Sequence, residues 1–262
     1  MNFTDAEIGT WVSTWLWPMF RIASFFMVIP VIGTQLVPMR VRVGLAFLVT
    51  LLVVPLIPPV PVVEPLSFNA VFITLQQIFI GSLTGFMFVM LMQLFVVSGM
   101  MIAMQMGLGF ASMVDPANGV NVPVLSQIFL VCVTLIFLAM NGHLVMIEII
   151  VETFRSWPIS EQIIGVNSIT REDMWMFISR ISWLFASALV MSLPAITAVL
   201  IINLSFGIMT RAAPQMNVFS LGFPIGMMFG LFIVWVSSNG LLPQFDTFST
   251  ETFLFLRDIQ ER

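Results

Sequence analysis

The sequence predicts an all-α integral membrane protein built from long, kinked apolar helices and helix hairpins. Of its 262 residues, 59% are hydrophobic and only 8% are charged, whereas soluble domains carry about 25% charged residues. The apolar residues fall in runs, several of them longer than the roughly 20 residues that cross a bilayer. We predict a single domain covering residues 1–262 with six runs: 11–32, 43–57, 71–104, 124–151, 174–209 and 218–242.

The first run begins with a cluster of tryptophans and contains one arginine. Trp11, Trp15 and Trp17 lie at its start, as aromatic residues do at a membrane interface. Arg21 lies inside it, and an arginine at a helix centre costs about 3 kcal/mol on insertion scales. Arg21 is therefore predicted to face protein or water. Because the N-terminus lacks a basic segment, this run is predicted to be a retained span and not a signal peptide.

The third and fourth runs carry packing and polar signals. The third is too long for one simple crossing, so it is either one tilted helix or a helix hairpin. Its Gly81-Ser-Leu-Thr-Gly85 is a G-x-x-x-G pattern that allows close helix approach. The fourth run is interrupted at Asn141-Gly142-His143. His143 and Glu148 are a candidate proton relay, but a spacing of five places them on different helical faces. A hydrogen-bonded structural histidine is the alternative.

The last two runs predict a helix break and a packing stripe. Pro194 lies near the middle of the fifth run and predicts a kink or a break into two half-helices. Small residues at successive helical turns of the sixth run predict close helix packing: Gly222, Gly226 and Gly230. The tail after Asp246 is a candidate amphipathic helix. Five ionisable residues are predicted to be buried: Arg21, His143, Glu148, Arg180 and Arg211.

The segment between the third and fourth runs, residues 105–123, is a poor helix because it contains three glycines and two prolines. It is apolar nonetheless, and Asp115 is its only charge. Irregular backbone beside membrane spans is tolerated only where protein buries it or water lines it. The residues allow two interpretations of this segment. It is either a tight connection between two spans or a stopper that closes a channel. The candidate stopper residues are Gly107, Gly109, Phe110, Met113, Asp115 and Pro116.

Composition disfavours several classes of protein. One histidine and one cysteine do not make a zinc site of the usual kind, so no metal and no cofactor are predicted. The net charge of -4 without a basic cluster argues against nucleic acid as a partner. All nine basic residues are arginine, so the P-loop lysine is missing, and no nucleophile–base pair is evident. The prediction is a protein that is not an enzyme.

Three stretches carry a family likeness. Gly107-Leu-Gly-Phe110 is followed by Asp115-Pro116 and Pro123, and Phe137-Leu-Ala-Met-Asn-Gly-His143 comes next. Arg211-Ala-Ala-Pro-Gln-Met-Asn-Val-Phe219 then precedes Gly222-Phe-Pro224. Together and in this order they resemble the FliR family, a component of the flagellar type III protein export gate. The resemblance extends over essentially the whole chain.

The resemblance implies a non-enzymatic core subunit with a FliP-like half followed by a FliQ-like half. Such chains assemble with FliP and FliQ into a closed helical cone in the bacterial inner (cytoplasmic) membrane, at the flagellar basal body. FlhB wraps around this gate and FlhA lies below it. Unfolded export substrates pass through the channel, and a loop matching residues 107–121 plugs it. The resemblance therefore favours the stopper interpretation of the central segment, and it implies that hydropathy alone does not fix the topology.

Alternative functions remain open at this point. The homologous subunit of a virulence injectisome is poorly distinguished from a flagellar subunit by sequence. A small-solute or ion transporter would suit the broken fifth run and the arginines Arg21 and Arg180, but paired inverted repeats are not evident. An intramembrane enzyme is disfavoured for want of a nucleophile–base pair. Membrane lipid is a partner in every case.

Overall fold

The computed structural model describes residues 5–60, 63, 67–108, 112–114, 121–160, 170–212 and 218–261. Over these ranges the chain is helical apart from one pair of three-residue strands, which confirms the predicted all-α membrane protein. The elements are α1 (Asp5–Val28), α2 (Met39–Val53), α3 (Phe68–Gln105), β1 (Ser112–Val114), β2 (Asn121–Pro123), α4 (Val124–Ala139), α5 (Gly142–Ser156), α6 (Arg171–Ala212), α7 (Val218–Ser237) and α8 (Leu241–Glu261).

Helix ends follow from local sequence. α2 begins directly after Pro38 and passes at Val54–Leu56 into a short 3-10 turn that contains Pro55. α4 and α5 are separated at Asn141, whose φ of 58° lies in the left-handed region that asparagine tolerates better than most residues. A 3-10 turn, Ser238–Gly240, separates α7 from α8. The predicted interruption of the fourth run is therefore a change from one helix to another.

Within the described ranges, four helical segments are long and apolar enough to cross a membrane: Met39–Leu56, Phe68–Gln105, Arg171–Met209 and Pro224–Gln260. α4 and α5 together make a possible fifth, broken span. α1 is not among the segments that meet this criterion. In α3, 61% of the apolar window is buried within the chain, compared with 28% in α6. α3 therefore buries most of its apolar window against the rest of the chain, whereas α6 leaves most of its own exposed.

α3 and α6 are each one continuous helix. The third run is thus a single helix of 38 residues and not a hairpin. The sequence predicted either a kink or a break at Pro194. α6 runs for 42 residues through Pro194, so the break into two half-helices is wrong. A proline removes one N–H and one intrahelical hydrogen bond. That local loss does not end a helix whose many remaining turns keep their bonds.

The chain divides into two compact units. The first unit comprises Met1–Val89, Leu138–Ile178 and Glu251–Arg262, and the second comprises Met90–Phe137 and Ser179–Thr250. In the first unit, the Phe88 ring lies 6.1 Å from Phe25 and 6.1 Å from Phe253. In the second, the Phe95 ring lies 5.8 Å from Phe245 and 6.1 Å from Phe248. α3 and α8 thus supply aromatic contacts to the core of each unit.

The C-terminal tail forms the predicted amphipathic helix, α8, which begins earlier than Asp246. Its buried residues recur at intervals of three or four and so share one face: Phe245, Ser249, Thr252, Leu256 and Ile259. Asp246, Glu251 and Arg257 lie on the exposed side. A polar helix of this kind is held by its apolar stripe and not by the bilayer alone.

Candidate functional site

The central segment begins with a glycine turn. The amide of Met106 still bonds to the carbonyl oxygen of Ile102 at 3.0 Å, whereas the amide of Gly107 bonds to that of Met104 at 3.1 Å, which closes the last turn of α3. Gly107 has a φ of 76°, which strains residues with a Cβ but not glycine. The chain therefore leaves the helical conformation at Gly107, as predicted, and its backbone conformation there favours glycine.

The segment returns to α4 through an antiparallel strand pair that the sequence did not predict. Ser112 pairs with Pro123, Met113 with Val122 and Val114 with Asn121. Strands of three residues are too short to show the alternation of a strand in sequence. Of the candidate stopper residues, Gly107 and Met113 lie within the described backbone. Gly109, Phe110, Asp115 and Pro116 lie outside the described residues.

The root of the segment packs on α7 in the second unit. Met106 is 4% exposed, and a Cβ built at Gly230 would lie 2.6 to 2.9 Å from its Cγ, Cε and Sδ atoms. The end of the Met106 side chain therefore lies directly on the backbone of α7 at Gly230. One residue before Gly107, α3 is thus fixed against a glycine that leaves room for it.

The rest of the α7 glycine stripe is packed less tightly than predicted. A Cβ at Gly226 would meet the side-chain oxygen of Asn203 at 3.6 Å, an ordinary van der Waals distance. The packing around Gly222 lies outside the described side chains. Of this stripe, Gly230 is the position where the structure shows an approach too close for a Cβ.

The G-x-x-x-G pattern of α3 lies against α1 in the first unit. A Cβ at Gly81 would overlap the carbonyl oxygen of Arg21 and the hydroxyl oxygen of Ser24. At Gly85 it would lie 3.1 Å from Cβ of Val28 and 3.2 Å from the carbonyl oxygen of Phe25. Helix backbones that approach this closely need small residues at the contact. These two glycines let α1 and α3 meet backbone to backbone.

A further close approach was missed at the sequence level. A Cβ at Gly99 would lie 2.9 Å from Cα of Ser126, so α3 and α4 are in close contact there. Ser98 and Ser126 are both fully buried. The signal that could have found the contact is the Ser98-Gly99 pair within the third run, because small residues line such interfaces.

Arg21 is fully buried and reaches three other parts of the first unit. Its Nε donates to Oε1 of Gln77 at 2.7 Å, its Nη1 to the carbonyl oxygen of Thr153 at 2.8 Å, and its Nη2 to that of Trp157 at 2.9 Å. The guanidinium carbon also lies 4.3 Å from the ring centre of Phe154. Among the described residues no carboxylate pairs with it, and its surroundings are neutral acceptors and an aromatic ring.

The acceptors of Arg21 show what it does for the fold. Thr153 and Trp157 mark the end of α5, where the last carbonyl groups lack partners and carry the negative end of the helix dipole. Arg21 supplies both the hydrogen bonds and a positive charge at that end. It therefore caps α5 from α1, while Gln77 ties the same guanidinium to α3.

The other predicted buried polar residues lie in more open positions. Glu148 and Arg211 are exposed, so their burial was wrongly predicted. Glu148 lies at the surface, 3.2 Å from Arg257, and is bound by that charge and not by His143. His143 is half-buried, and its Nδ1 has no hydrogen-bond partner among the described residues. Arg180 is half-buried, with its guanidinium carbon 5.2 Å from the ring centre of Trp183.

Among the described residues the His143–Glu148 relay is therefore not assembled, and the alternative, a hydrogen-bonded structural histidine, finds no support at Nδ1. Within the described ranges, no three histidine, cysteine, aspartate or glutamate side chains are grouped closely enough to hold a metal ion. The features that the structure shows are mechanical. The first unit has a capped helix end at Arg21 and two glycine contacts on α3, and the second has a third glycine contact on α3 and the segment that turns at Gly107 and packs on α7.

Comparison with known proteins gives a consistent assignment over nearly the whole chain. The family model described as "Bacterial export proteins, family 1" matches residues 12–252. The flagellar biosynthetic protein FliR of Escherichia coli (strain K12) is 34% identical over 264 residues, covering 99% of this chain and 97% of that protein. FliR of Bacillus subtilis (strain 168) is 27% identical, with 83% of each protein covered. The surface presentation of antigens protein SpaR of Shigella flexneri is 24% identical, with 84% of this chain and 83% of SpaR covered.

Proposed function

We propose, because this chain belongs to family 1 of the bacterial export proteins, that it is a non-enzymatic core subunit of a flagellar type III protein export gate. The observation that carries the proposal is the near-complete coverage of a flagellar biosynthetic protein at 34% identity. The chain and that relative match from end to end, so the proposal concerns the whole molecule and not a shared module.

The length of α6 supports assembly with partner proteins. Ile181 is 43% exposed and Ile208 is 64% exposed, and within the second unit they lie about 40 Å apart along a helix at 1.5 Å per residue. A hydrocarbon core is about 30 Å thick, and a typical tilt of about 20° does not close that gap. Lipid alone therefore leaves part of this apolar face uncovered. A neighbouring protein would cover it.

The partners that the family resemblance implies are FliP and FliQ within the gate, with FlhB and FlhA beside it. In this proposal a FliP-like half and a FliQ-like half of the chain each take a place in the helical assembly. The assembly lies in the bacterial inner membrane at the flagellar basal body and conducts unfolded export substrates. The outward apolar faces of α6 and α7 supply the surface for these contacts.

The central segment is proposed to plug the closed channel. Its described part supports a stopper on a fixed root, because Gly107 turns the chain sharply and Met106 is held on Gly230. Apolar side chains without a fixed charge block water and ions by dewetting. Phe110 and Met113 would supply that apolar bulk.

The homologous injectisome subunit is the second candidate, and the similarity to SpaR favours it. The higher identities to flagellar proteins weigh toward the flagellar gate. The transporter hypothesis loses support, since α6 is continuous where two half-helices were expected.

Native electrophoresis tests the assembly. When the chain is co-expressed with FliP and FliQ and gently extracted, we expect it to migrate with both in one large complex, because its long apolar faces need protein cover. Expression without the two partners is the control and should abolish that band. Migration alone or as a small homo-oligomer in both samples would contradict the gate assignment.

Removing the apolar bulk of the central segment tests the plug. In cells that assemble the complex, replacing Phe110 and Met113 together with serine should raise resting ion conductance several-fold, because a polar constriction stays wet. The matched control is Asp115→Asn, which alters the same segment but keeps its apolar residues. If the double variant assembles and its resting ion conductance equals that of the control, the segment is only a connection between helices and not a plug.

A further inference from the structure

A cleft whose lining residues are all of polar or charged types lies between the last turns of α5 and α8 in the first unit. Its volume is about 350 Å³ and it is lined by Glu152, Arg155, Ser156, Arg257 and Gln260. Only 8% of the chain is charged, so a cleft with three charged walls is an unusual concentration of polarity. A cleft of several hundred cubic ångströms with convergent polar groups is a candidate binding site.

The hydrogen-bonding capacity of the cleft is only partly used. Nη2 of Arg257 lies 3.2 Å from Glu148, but its Nε is 4.0 Å from Glu152, a loose contact. Among the described residues the side chain of Arg155 has no hydrogen-bond or ion-pair partner. Nε2 of Gln260 is buried and has no partner within the same ranges. The cleft therefore offers two donors, Arg155 and Gln260, and one weakly held carboxylate, Glu152.

This mixture of charges selects the ligand. A simple anion would meet the carboxylate of Glu152, and a simple cation would meet the guanidinium of Arg155. The negative end of α5 is already compensated by Arg21, which bonds to Thr153 and Trp157. A molecule that carries a phosphate and a primary ammonium satisfies both sides, since phosphate accepts from Arg155 and Gln260 while ammonium donates to Glu152.

Exposed apolar side chains precede the cleft on both helices. Leu254, which is 61% exposed, lies about one turn before Arg257 on α8, and Leu144, which is 57% exposed, lies about two turns before Glu152 on α5. A phospholipid has the same arrangement, with a polar headgroup next to acyl chains. We propose that this cleft binds the headgroup of a zwitterionic phospholipid with a primary ammonium, with its phosphate on Arg155 and Gln260 and its ammonium on Glu152.

Lipid retention by the purified protein tests the site. The full chain, purified with the proteins that co-purify with it, is exchanged into detergent containing dioleoyl phosphatidylethanolamine, phosphatidylglycerol or phosphatidylcholine. Bound lipid is then counted by native mass spectrometry. We expect phosphatidylethanolamine to be retained at least five-fold better than the other two, because one lacks the ammonium and the other cannot donate hydrogen bonds to Glu152.

Variants separate this site from general lipid binding. Arg155→Gln should lower retained phosphatidylethanolamine at least five-fold, and Glu152→Gln should remove its advantage over phosphatidylcholine. Arg211→Gln, which changes an exposed arginine elsewhere, is the control and should change neither. Equal retention of the three lipids, or full retention by Arg155→Gln, would overturn the site. Complete competition by free O-phosphoethanolamine would support the same headgroup chemistry with a soluble ligand as its source.

Discussion

Replacing Arg21 with leucine is expected to remove most of the chain from the assembled complex while leaving its membrane insertion unimpaired. Leucine deletes every donor of the guanidinium, so Oε1 of Gln77 and the carbonyl oxygen of Trp157 lose their partners. The carbonyl oxygen of Thr153 keeps a bond from the amide of Trp157 at 2.9 Å. Each buried acceptor left unpaired costs about 1–3 kcal/mol. Two such losses are a large share of the roughly 5–15 kcal/mol that stabilises a typical domain.

A conservative substitution distinguishes hydrogen bonding from charge. Arg21→Lys keeps the positive charge buried but cannot reach acceptors on α3 and α5 at once, because an ammonium lacks the planar fork of guanidinium. We therefore expect lysine to be at least as harmful as leucine. Arg40→Leu, at an exposed arginine, is the control. The measurement is the yield of complex per amount of membrane-inserted chain. Rescue by lysine, or a normal yield from Arg21→Leu, would show that the network does not hold the unit together.

Arg21 also shows how far the sequence could lead. Its position within an apolar run predicted that it faces protein or water, since a lipid-facing arginine is expensive. Its partners could not be predicted, because Gln77 is 56 residues away and Trp157 is 136 residues away. The end of α5 supplies two of the acceptors, because the carbonyl groups at a helix end accept hydrogen bonds whatever the residue types that carry them.

Local sequence patterns predicted where the helices lie better than they predicted where the helices end or which helices contact each other. The long apolar runs correctly predicted the helices α3 and α6. Pro194 predicted a kink or a break, and α6 is not broken because its remaining turns keep their hydrogen bonds. The β1–β2 pair is too short to leave a periodic signal. Glycine spacing predicted close packing, yet it could not rank the sites. The three-glycine stripe was the stronger signal in the sequence, but the shorter G-x-x-x-G pattern makes the closer backbone contact. How closely two helices approach at a glycine depends on which atom of the partner helix faces it.

That ranking gives a graded set of glycine-to-alanine variants. Gly81→Ala is expected to reduce the level of folded chain most severely, because the new Cβ would overlap the carbonyl oxygen of Arg21, a backbone atom of α1 that cannot turn aside. Overpacking of this kind typically costs about 1–3 kcal/mol. Here it would also separate α1 from α3 beside the 2.7 Å bond between Arg21 and Gln77, which lies one turn before Gly81 on α3.

The same methyl group should do less harm at the other glycines. Gly85→Ala places its Cβ 3.1 Å from Cβ of Val28, a contact that a shift of a few tenths of an ångström relieves, and Gly226→Ala meets Asn203 at an ordinary 3.6 Å. The measurement is the membrane level and complex yield of all three variants under one promoter. The expected order of loss is Gly81, then Gly85, with Gly226 equal to wild type. A Gly81→Ala chain that accumulates and assembles like Gly226→Ala would mean that α1 and α3 do not meet backbone to backbone in the assembled protein.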